Sequence, residues 1–279
     1  MPRFDRILIA DWSASGALSP ARPSADAIWL GETSAQGSQT RYYRSRATAE
    51  AAIAGAIADA KAAGARLLIG CDFPFGYPQG FAQMLTGKPL AAAVWAHLAA
   101  RITDTAKNQN NRFQVAAEMN AALGQPLFWG RPASLDLADL PATKRGDYAA
   151  LGLSERRLVE TLIPRAQVVW KLYTTGAAGS QGLMGQTMLH RLAKEAAVWP
   201  FDPAGQITLA EVYPSLLARA VAADPAPIKD EAQVRLLSQA LFALSQQGKL
   251  GPLFDAPALA REEGWILGAG HAALLEAAL

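Results

Sequence analysis

Three carboxylates lie at the ends of apolar, β-type segments that are far apart in this chain. Asp11 ends RILIAD, Asp72 ends RLLIGCD and Glu211 lies next to the end of ITLAEV. Ligands of open sheets bind beyond the carboxyl ends of parallel strands. If the first and the fourth strand are neighbours, their spacing of roughly 4.8 Å brings Asp11 and Asp72 together. Two carboxylates that close repel each other unless a cation lies between them or one is protonated.

Helical periodicity adds a fourth acid. In KDEAQVRLLSQALFALSQ the apolar positions from Val234 onward form one helix face, and Asp230, four residues earlier, shares that face. Converging oxygen ligands suit Mg²⁺ or Mn²⁺, and a pair of such ions serves in-line attack on a phosphodiester. We therefore predict that Asp11, Asp72, Glu211 and Asp230 are metal ligands and catalytic residues. Carboxylates after strands or at helix starts are also common as turn or capping residues, so a purely structural role stays open.

A second set of residues is suited to binding the anionic part of a substrate. In TTGAAGSQGLMG, glycines recur every three residues before a predicted helix, and such a loop can turn backbone N–H groups toward an anion. A plain flexible loop or lid is the alternative. A lysine upstream adds a positive charge, and KNQNNRF gathers donors near another helix start, where capping is the alternative role. The predicted substrate-binding residues are Lys171, Gly176, Gly179, Ser180, Gly182, Asn111 and Arg112.

The elements that position these residues form an α/β pattern. Strands are predicted at residues 6–11, 27–31, 40–45, 66–72 and 207–212, and a helix is predicted at residues 48–63. The first three strands form a meander. The helix after them suggests a right-handed crossover, which makes the fourth strand parallel to one of the first three. The expected fold is a mixed five-stranded sheet flanked by helices.

A long segment separates the fourth and the fifth strand. Residues 75–206 exceed an ordinary crossover and must form a subdomain. Helices are predicted there at residues 91–105, 111–123, 154–163 and 186–198. After the fifth strand, helices are predicted from about residue 215 and at residues 229–247, followed by an apolar tail of uncertain type at residues 265–279. The chain thus reads as a single domain, residues 1–279, with a mainly helical insertion at residues 75–206.

Composition limits the class of protein. Of 279 residues, 51% are hydrophobic and 18% are charged, which excludes a disordered or fibrous chain. The net charge of +2 argues against avid non-specific binding to nucleic acid and leaves room for a local basic groove. With one cysteine, Cys71, we expect neither an internal disulfide nor a disulfide-linked partner. The apolar runs are too short for a signal peptide or a membrane span, so we expect a cytoplasmic protein without membrane association.

Several short motifs together resemble a known family. The segments IADWSA, GCDFPFGYP, LAEVYPS and KDEAQVRLLSQALFAL are similar to a bacterial family of predicted ribonuclease H-like nucleases, in which D-x-P-x-G and E-v-Y-P recur. Stretches of the insertion, such as FWGRP and VWPF, resemble it as well, so the similarity covers most of the chain. The resemblance implies a ribonuclease H-like fold and a metal-dependent nuclease in which Asp11, Asp72, Glu211 and Asp230 hold the ions.

Three functions are compatible with these patterns. The leading hypothesis is a metal-dependent phosphodiester hydrolase, a nuclease, whose partner is nucleic acid. The second is an ATP-dependent kinase or a phosphatase that acts on a phosphorylated small molecule, with the insertion as a lid. The near-neutral charge favours this rival, because a long polyanion normally requires clustered Lys and Arg. The third is a non-catalytic binding module of the same fold. The charge and shape of the surface around the four acids distinguish these functions.

Overall fold

The computed structural model describes residues 3–163 and 165–279, and its centre is a mixed sheet. The strands of the described residues are β1 (Arg6–Asp11), β2 (Ile28–Ser34), β3 (Gly37–Tyr43), β4 (Leu67–Asp72), β5 (Ala197–Trp199) and β6 (Ile207–Glu211). Their order across the sheet is β3-β2-β1-β4-β6-β5. The meander β1-β2-β3 is antiparallel, whereas β1, β4, β6 and β5 run parallel. The expected α/β class, with a mixed sheet flanked by helices, is confirmed.

Helices make the crossovers and cover the sheet. The helix α1 (Arg46–Ala62) connects β3 to β4, and Ser45 caps it by accepting a hydrogen bond from the Thr48 N–H. The other helices of the described residues are α2 (Phe81–Thr86), α3 (Ala91–Ala99), α4 (Arg112–Leu123), α5 (Leu158–Leu162), α6 (Ala178–Leu192), α7 (Ala218–Ala223), α8 (Lys229–Gln246), α9 (Ala260–Glu263) and α10 (Ala272–Glu276). None of them is long and apolar enough to cross a membrane.

The two faces of the sheet belong to different cores. On one face, Ile7, Ile9 and Leu68 pack with the apolar side of α8. On the other face, Leu8 and Ile69 pack with α1 and α6. Successive side chains of a strand point to opposite faces, so odd and even positions of β1 enter different layers. This alternation decides which of the strand-end acids meet.

The insertion between β4 and β6 has a core of its own, rich in aromatic side chains. Tyr77, Phe81, Phe128 and Trp170 contact one another, with ring centroids 4.6 Å apart for Tyr77 and Phe81 and 5.0 Å apart for Phe81 and Trp170. Edge-to-face and tilted ring pairs of this kind add to the stability gained from burial. The aromatic residues of this region therefore build a scaffold beside the sheet.

Several predicted boundaries differ from the structure. The sheet has six described strands instead of five, because Ala197–Trp199, assigned to a helix from the sequence, pairs in parallel with β6. Helix α6 begins at Ala178, eight residues before the predicted start. The helix predicted at residues 91–105 ends at Ala99, and the one predicted at residues 154–163 spans only Leu158–Leu162. Sheet pairing and packing between distant segments override local propensity at these places.

Candidate active site

Asp11 and Asp72 lie side by side at the ends of two adjacent strands. They are paired directly in the parallel register of β1 and β4. Paired residues of adjacent strands project from the same face of the sheet. Both continue the row of Ile7, Ile9 and Leu68, so they project from the face that α8 covers.

The carboxylates of Asp11 and Asp72 receive no hydrogen bond within the part of the chain that the structure describes. Among the described residues, no hydrogen bond or ion pair reaches either group within the usual distances. Burial raises the pKa of Asp11 well above its ordinary value, and the charges of Asp72 and Asp230 raise it further. Burial raises the pKa of Asp72 to about 7, and the charges of Glu211 and Asp230 act in the same direction. These two carboxylates therefore favour either a proton or a cation between them.

Two further acids extend this pair on the same side. Asp230, in the first turn of α8, accepts a hydrogen bond of 2.7 Å on its Oδ2 from the backbone N–H of Asp26. Asp26 has a positive φ of 56° and precedes β2. Because β1 and β2 are antiparallel, the start of β2 lies at the same edge as the end of β1, where Trp29 pairs with Asp11. The acidic cluster thus contains Asp11, Asp26, Asp72 and Asp230.

Glu211 occupies a different environment. It follows Ile207 and Leu209, which face α1 and α6, so its side chain starts from the face opposite to Asp72. Its two oxygens accept hydrogen bonds from Arg157, at 2.6 Å from Nη2 and 2.8 Å from Nη1. The backbone N–H of Phe75 donates a third at 2.9 Å. Glu211 is 3% exposed and Arg157 is 2% exposed. Glu211 therefore serves a buried ion pair with Arg157, and it lies close enough to Asp72 for its charge to raise the pKa of that carboxyl.

The acidic cluster has the donor chemistry of a divalent-cation site but, among the described residues, not a closed set of ligands. Within residues 3–163 and 165–279, no three His, Cys, Asp or Glu side chains are placed closely enough to hold a metal ion. The donor chemistry nevertheless fits Mg²⁺ or Mn²⁺, which prefer carboxylate oxygens and keep several waters. Asp11 and Asp72 offer oxygens without competing donors, and Oδ1 of Asp230 accepts no hydrogen bond from a described residue.

The acidic cluster lines a cleft of about 660 Å³ that also contains a cation, Arg112. Arg112 donates from Nε to the Ser180 hydroxyl at 2.9 Å and from Nη1 to Asn110 Oδ1 at 2.8 Å. Its guanidinium lies over the Phe113 ring, 4.2 Å from the centroid. Burial, with the nearby Arg46 charge, lowers the pKa of Arg112 to about 10. Because its hydrogen-bond partners Ser180 and Asn110 are neutral, a bound anion would stabilise the charged form of Arg112.

The glycine row has a different role from the predicted loop. Only Gly176, with a φ of 75°, precedes α6; Gly179, Gly182 and Gly185 are buried inside that helix. A Cβ at Gly179 would lie 2.4 Å from the Val169 carbonyl oxygen, and one at Gly182 would lie 3.5 Å from Pro74. Gly179 therefore lets α6 pack closely on the backbone at Val169, whereas the contact at Gly182 is an ordinary van der Waals distance. Gly176 and Ser180 line the cleft, whereas Gly179 and Gly182 do not.

Two other predicted substrate-binding residues do not line the cleft. Lys171 donates from Nζ to the carbonyl oxygen of Thr175 at 2.6 Å and lies 5.8 Å from the centroid of the Trp129 ring. Asn111 accepts from the Thr103 N–H at 2.8 Å and donates to the Arg101 carbonyl at 3.0 Å. Both side chains are used to fix turns of the backbone. Asn111 lies directly before α4, as the capping alternative expects, but its side chain makes no capping hydrogen bond to that helix.

Sequence reasoning missed two residues of this region. Asp26 follows a Ser/Pro-rich turn without a strand pattern of its own, and only the antiparallel pairing of β1 and β2 reveals its position. Lys229, the residue before Asp230, lies close enough to lower the pKa values of Asp11 and Asp72 against the stronger effect of burial. The sequence signal that could have identified Lys229 was its position directly before Asp230, which was predicted to face inward.

Comparisons with known protein families, with curated proteins and with solved structures give no match for this chain.

Proposed function

We propose that this protein is a divalent-metal-dependent hydrolase of phosphodiesters, a nuclease of the ribonuclease H-like type. The observation that carries the proposal is the pair Asp11 and Asp72, directly opposite in register and without protein donors. The proposal is also supported by the order of elements, in which a three-stranded meander and a helix lead to a strand parallel to β1. The acids at these strand ends are those on which the resemblance depends.

Each residue has a distinct role in this proposal. Asp11 and Asp72 would hold Mg²⁺ or Mn²⁺ together with bound waters, and Asp230, on α8, would add negative charge beside them. A bound ion would supply a nucleophilic water at neutral pH and would stabilise the charge that develops on the leaving oxygen. Arg112 binds the phosphate with the N–H groups that Ser180 and Asn110 leave free. Glu211 is assigned to positioning, since its ion pair with Arg157 anchors the segment that follows β4.

The test combines metal binding with hydrolysis for Asp11→Asn, Asp72→Asn and the control Asp255→Asn. Asp255 is exposed and does not line the cleft. Millimolar Mn²⁺ should raise the melting temperature of the wild type and of the control by an amount set by its concentration over Kd. Asparagine at position 11 or 72 should remove most of that shift and lower hydrolysis of single-stranded and duplex nucleic acid by roughly a hundredfold or more. An equal Mn²⁺ shift in all four proteins would exclude the acid pair as the metal site.

A metal-dependent phosphatase or a kinase for a small metabolite is the second candidate. It is favoured by the cleft volume of about 660 Å³, which falls within the range of pockets for small ligands. A substrate panel separates the two candidates, with a phosphomonoester, a dinucleotide and a longer oligonucleotide assayed beside ATP consumption. Turnover of the monoester alone, or transfer from ATP, would replace the nuclease with the metabolite enzyme.

A further inference from the structure

A second cavity adjoins the acidic cleft. It has a volume of about 360 Å³ and shares Asp72, Thr175, Gly176 and Gln181 with the larger cleft. Gln181 donates from Nε2 to the Trp12 carbonyl oxygen at 2.7 Å, so the boundary between the two spaces is tied to the end of β1. Asp72 therefore faces two connected spaces.

The two spaces differ in charge. The larger cleft is lined by the carboxylates of Asp11, Asp26, Asp72 and Asp230 and by one cation, Arg112. The second cavity is lined by three cations, Arg157, Arg165 and Lys229, and by the carboxylates of Asp72 and Glu211. The first space thus suits a cation and the second an anion, which lie beside each other in a metal–phosphate site.

Two of the three cations are free to bind a ligand. Among the described residues, no carboxylate lies within 4.0 Å of the charged group of Arg165 or Lys229, and neither side chain donates a hydrogen bond. Both are exposed. Cations of this kind contribute little to the stability of the fold, so a substitution there tests binding rather than folding.

The third cation, Arg157, is buried, and most of its N–H groups donate to protein acceptors. Arg157 donates from Nε to Glu160 and from Nη1 to both Glu211 and the Glu263 carbonyl, and Nη2 makes one bond to Glu211. A guanidinium has five N–H groups, so one N–H on Nη2 is left without a protein acceptor. A fixed donor at the wall of a cavity is suited to an anionic oxygen.

We propose that this second cavity binds a phosphate group of the substrate adjacent to the phosphate held at Asp11 and Asp72. The substrate is then a chain with at least two successive phosphates, an oligonucleotide strand that crosses Asp72 from one space to the other. Arg165 and Lys229 bind this second phosphate, and Arg157 donates to it from the wall. The catalytic part of this assignment rests on the proposed function, whereas the binding part stands by itself.

The experiment measures binding to the protein with an intact acid pair, with Ca²⁺ in place of Mn²⁺ and under conditions in which no product forms. The probes are a single-stranded tetranucleotide and a mononucleotide with one phosphate. Arg165→Ala should weaken tetranucleotide binding by about tenfold, the value of one charge-assisted contact, and should lower the slope of log K against log salt by about 0.7. Mononucleotide binding should not change. The control is Arg219→Ala, which removes an exposed arginine that lines neither space.

Each other outcome contradicts either the second subsite or the proposed function. Equal effects of Arg165→Ala and Arg219→Ala, no measurable binding of the tetranucleotide, or an equal loss for the mononucleotide would overturn the second subsite. Hydrolysis by the wild type is scored separately. If Arg165 is required for binding and no substrate is hydrolysed, the subsite stands and the proposed function fails. If hydrolysis is present and Arg165→Ala binds normally, the function stands and the subsite fails.

Discussion

At the scale of single residues, hydrogen-bond satisfaction separates the acids that are available for chemistry from those that serve the fold. Glu211 is almost fully buried, yet three N–H donors hold its oxygens and its charge is matched by Arg157. Asp11 and Asp72 are partly buried, and no described residue donates a hydrogen bond to either carboxylate. A buried carboxylate without hydrogen-bond donors is costly to ionise, so it favours binding either a cation or a proton.

This difference predicts how stability depends on pH in the metal-free protein. Burial, with the charges of Glu211 and Asp230, raises the pKa of Asp72 to about 7, whereas an unfolded aspartate titrates near about 4. Between these values the folded protein keeps a proton that the unfolded chain releases, so the free energy of unfolding should fall as pH rises from about 4 to about 7. Urea unfolding in EDTA checks this.

Asp72→Asn is the matched control for that measurement, because it removes the titrating group and keeps its shape. The variant should be more stable than the wild type at pH 7 and should show a shallower decline across the same range. A decline of the same slope in both proteins would assign the pH dependence to other groups.

At the scale of secondary structure, the position of Asp230 depends on how closely α8 approaches β2. A Cβ built on Gly31 would lie 2.6 Å from both the carbonyl carbon and the oxygen of Val234, one turn after Asp230. The atoms that the added Cβ would meet belong to the backbone of α8, which cannot move aside as a flexible side chain can. The absence of a side chain at position 31 therefore sets the distance between α8 and the sheet.

Gly31→Ala should consequently lower the free energy of unfolding by about 1 to 3 kcal/mol and reduce the Mn²⁺-induced rise in melting temperature, because α8 must move away from the sheet. Gly55→Ala is the matched control. Gly55 lies in the interior of α1, and nothing lies within 4 Å of its added Cβ. Alanine there should raise stability by about 0.5 to 1 kcal/mol and leave the metal response unchanged. If both variants lowered stability equally, the close approach would not be the cause.

At the scale of the whole molecule, a buried network of charges connects the insertion to the sheet and to the C-terminal segment. Arg157 and Glu160 belong to the insertion, Glu211 ends β6, and Glu263 accepts from the Gln79 and Leu158 N–H groups. Burial alone would lower the pKa of Arg157, and Glu211 with Glu160 raises it above its ordinary value. The guanidinium thus remains charged at the point where three segments meet.

Removing this cation should destabilise the molecule strongly. Arg157→Met leaves Glu160 and Glu211 buried without their partner, so the free energy of unfolding should fall by about 3 to 5 kcal/mol. Lys144→Met breaks an exposed ion pair with Glu155 and should cost no more than about 1 kcal/mol. Denaturant unfolding of both variants provides the comparison. Equal small losses would show that the network does not hold the insertion to the sheet.

The sequence alone determined what depends on local pattern. Apolar runs that end in Asp11 and Asp72 predicted two strand ends, and periodicity placed Asp230 on the inward face of α8. The helix before β4 predicted that this strand is parallel to one of the first three, and the structure shows that its parallel neighbour is β1. Each of these conclusions uses residues within about twenty positions of one another or a general rule of chain crossover. The class of fold and three of the clustered acids followed from them.

Only the tertiary structure decided the remaining features. The ion pair of Glu211 joins it to Arg157, which is more than fifty residues away in the sequence. The position of Asp26 beside Asp11 depends on the pairing of β1 with β2. Most of the glycine row predicted as an anion loop lies in α6, where Gly179 and Gly185 permit close approach to the Val169 backbone and the Phe73 ring. Local pattern specifies the direction in which a residue can point, whereas the partner it meets, and so its charge state and role, is fixed by long-range packing.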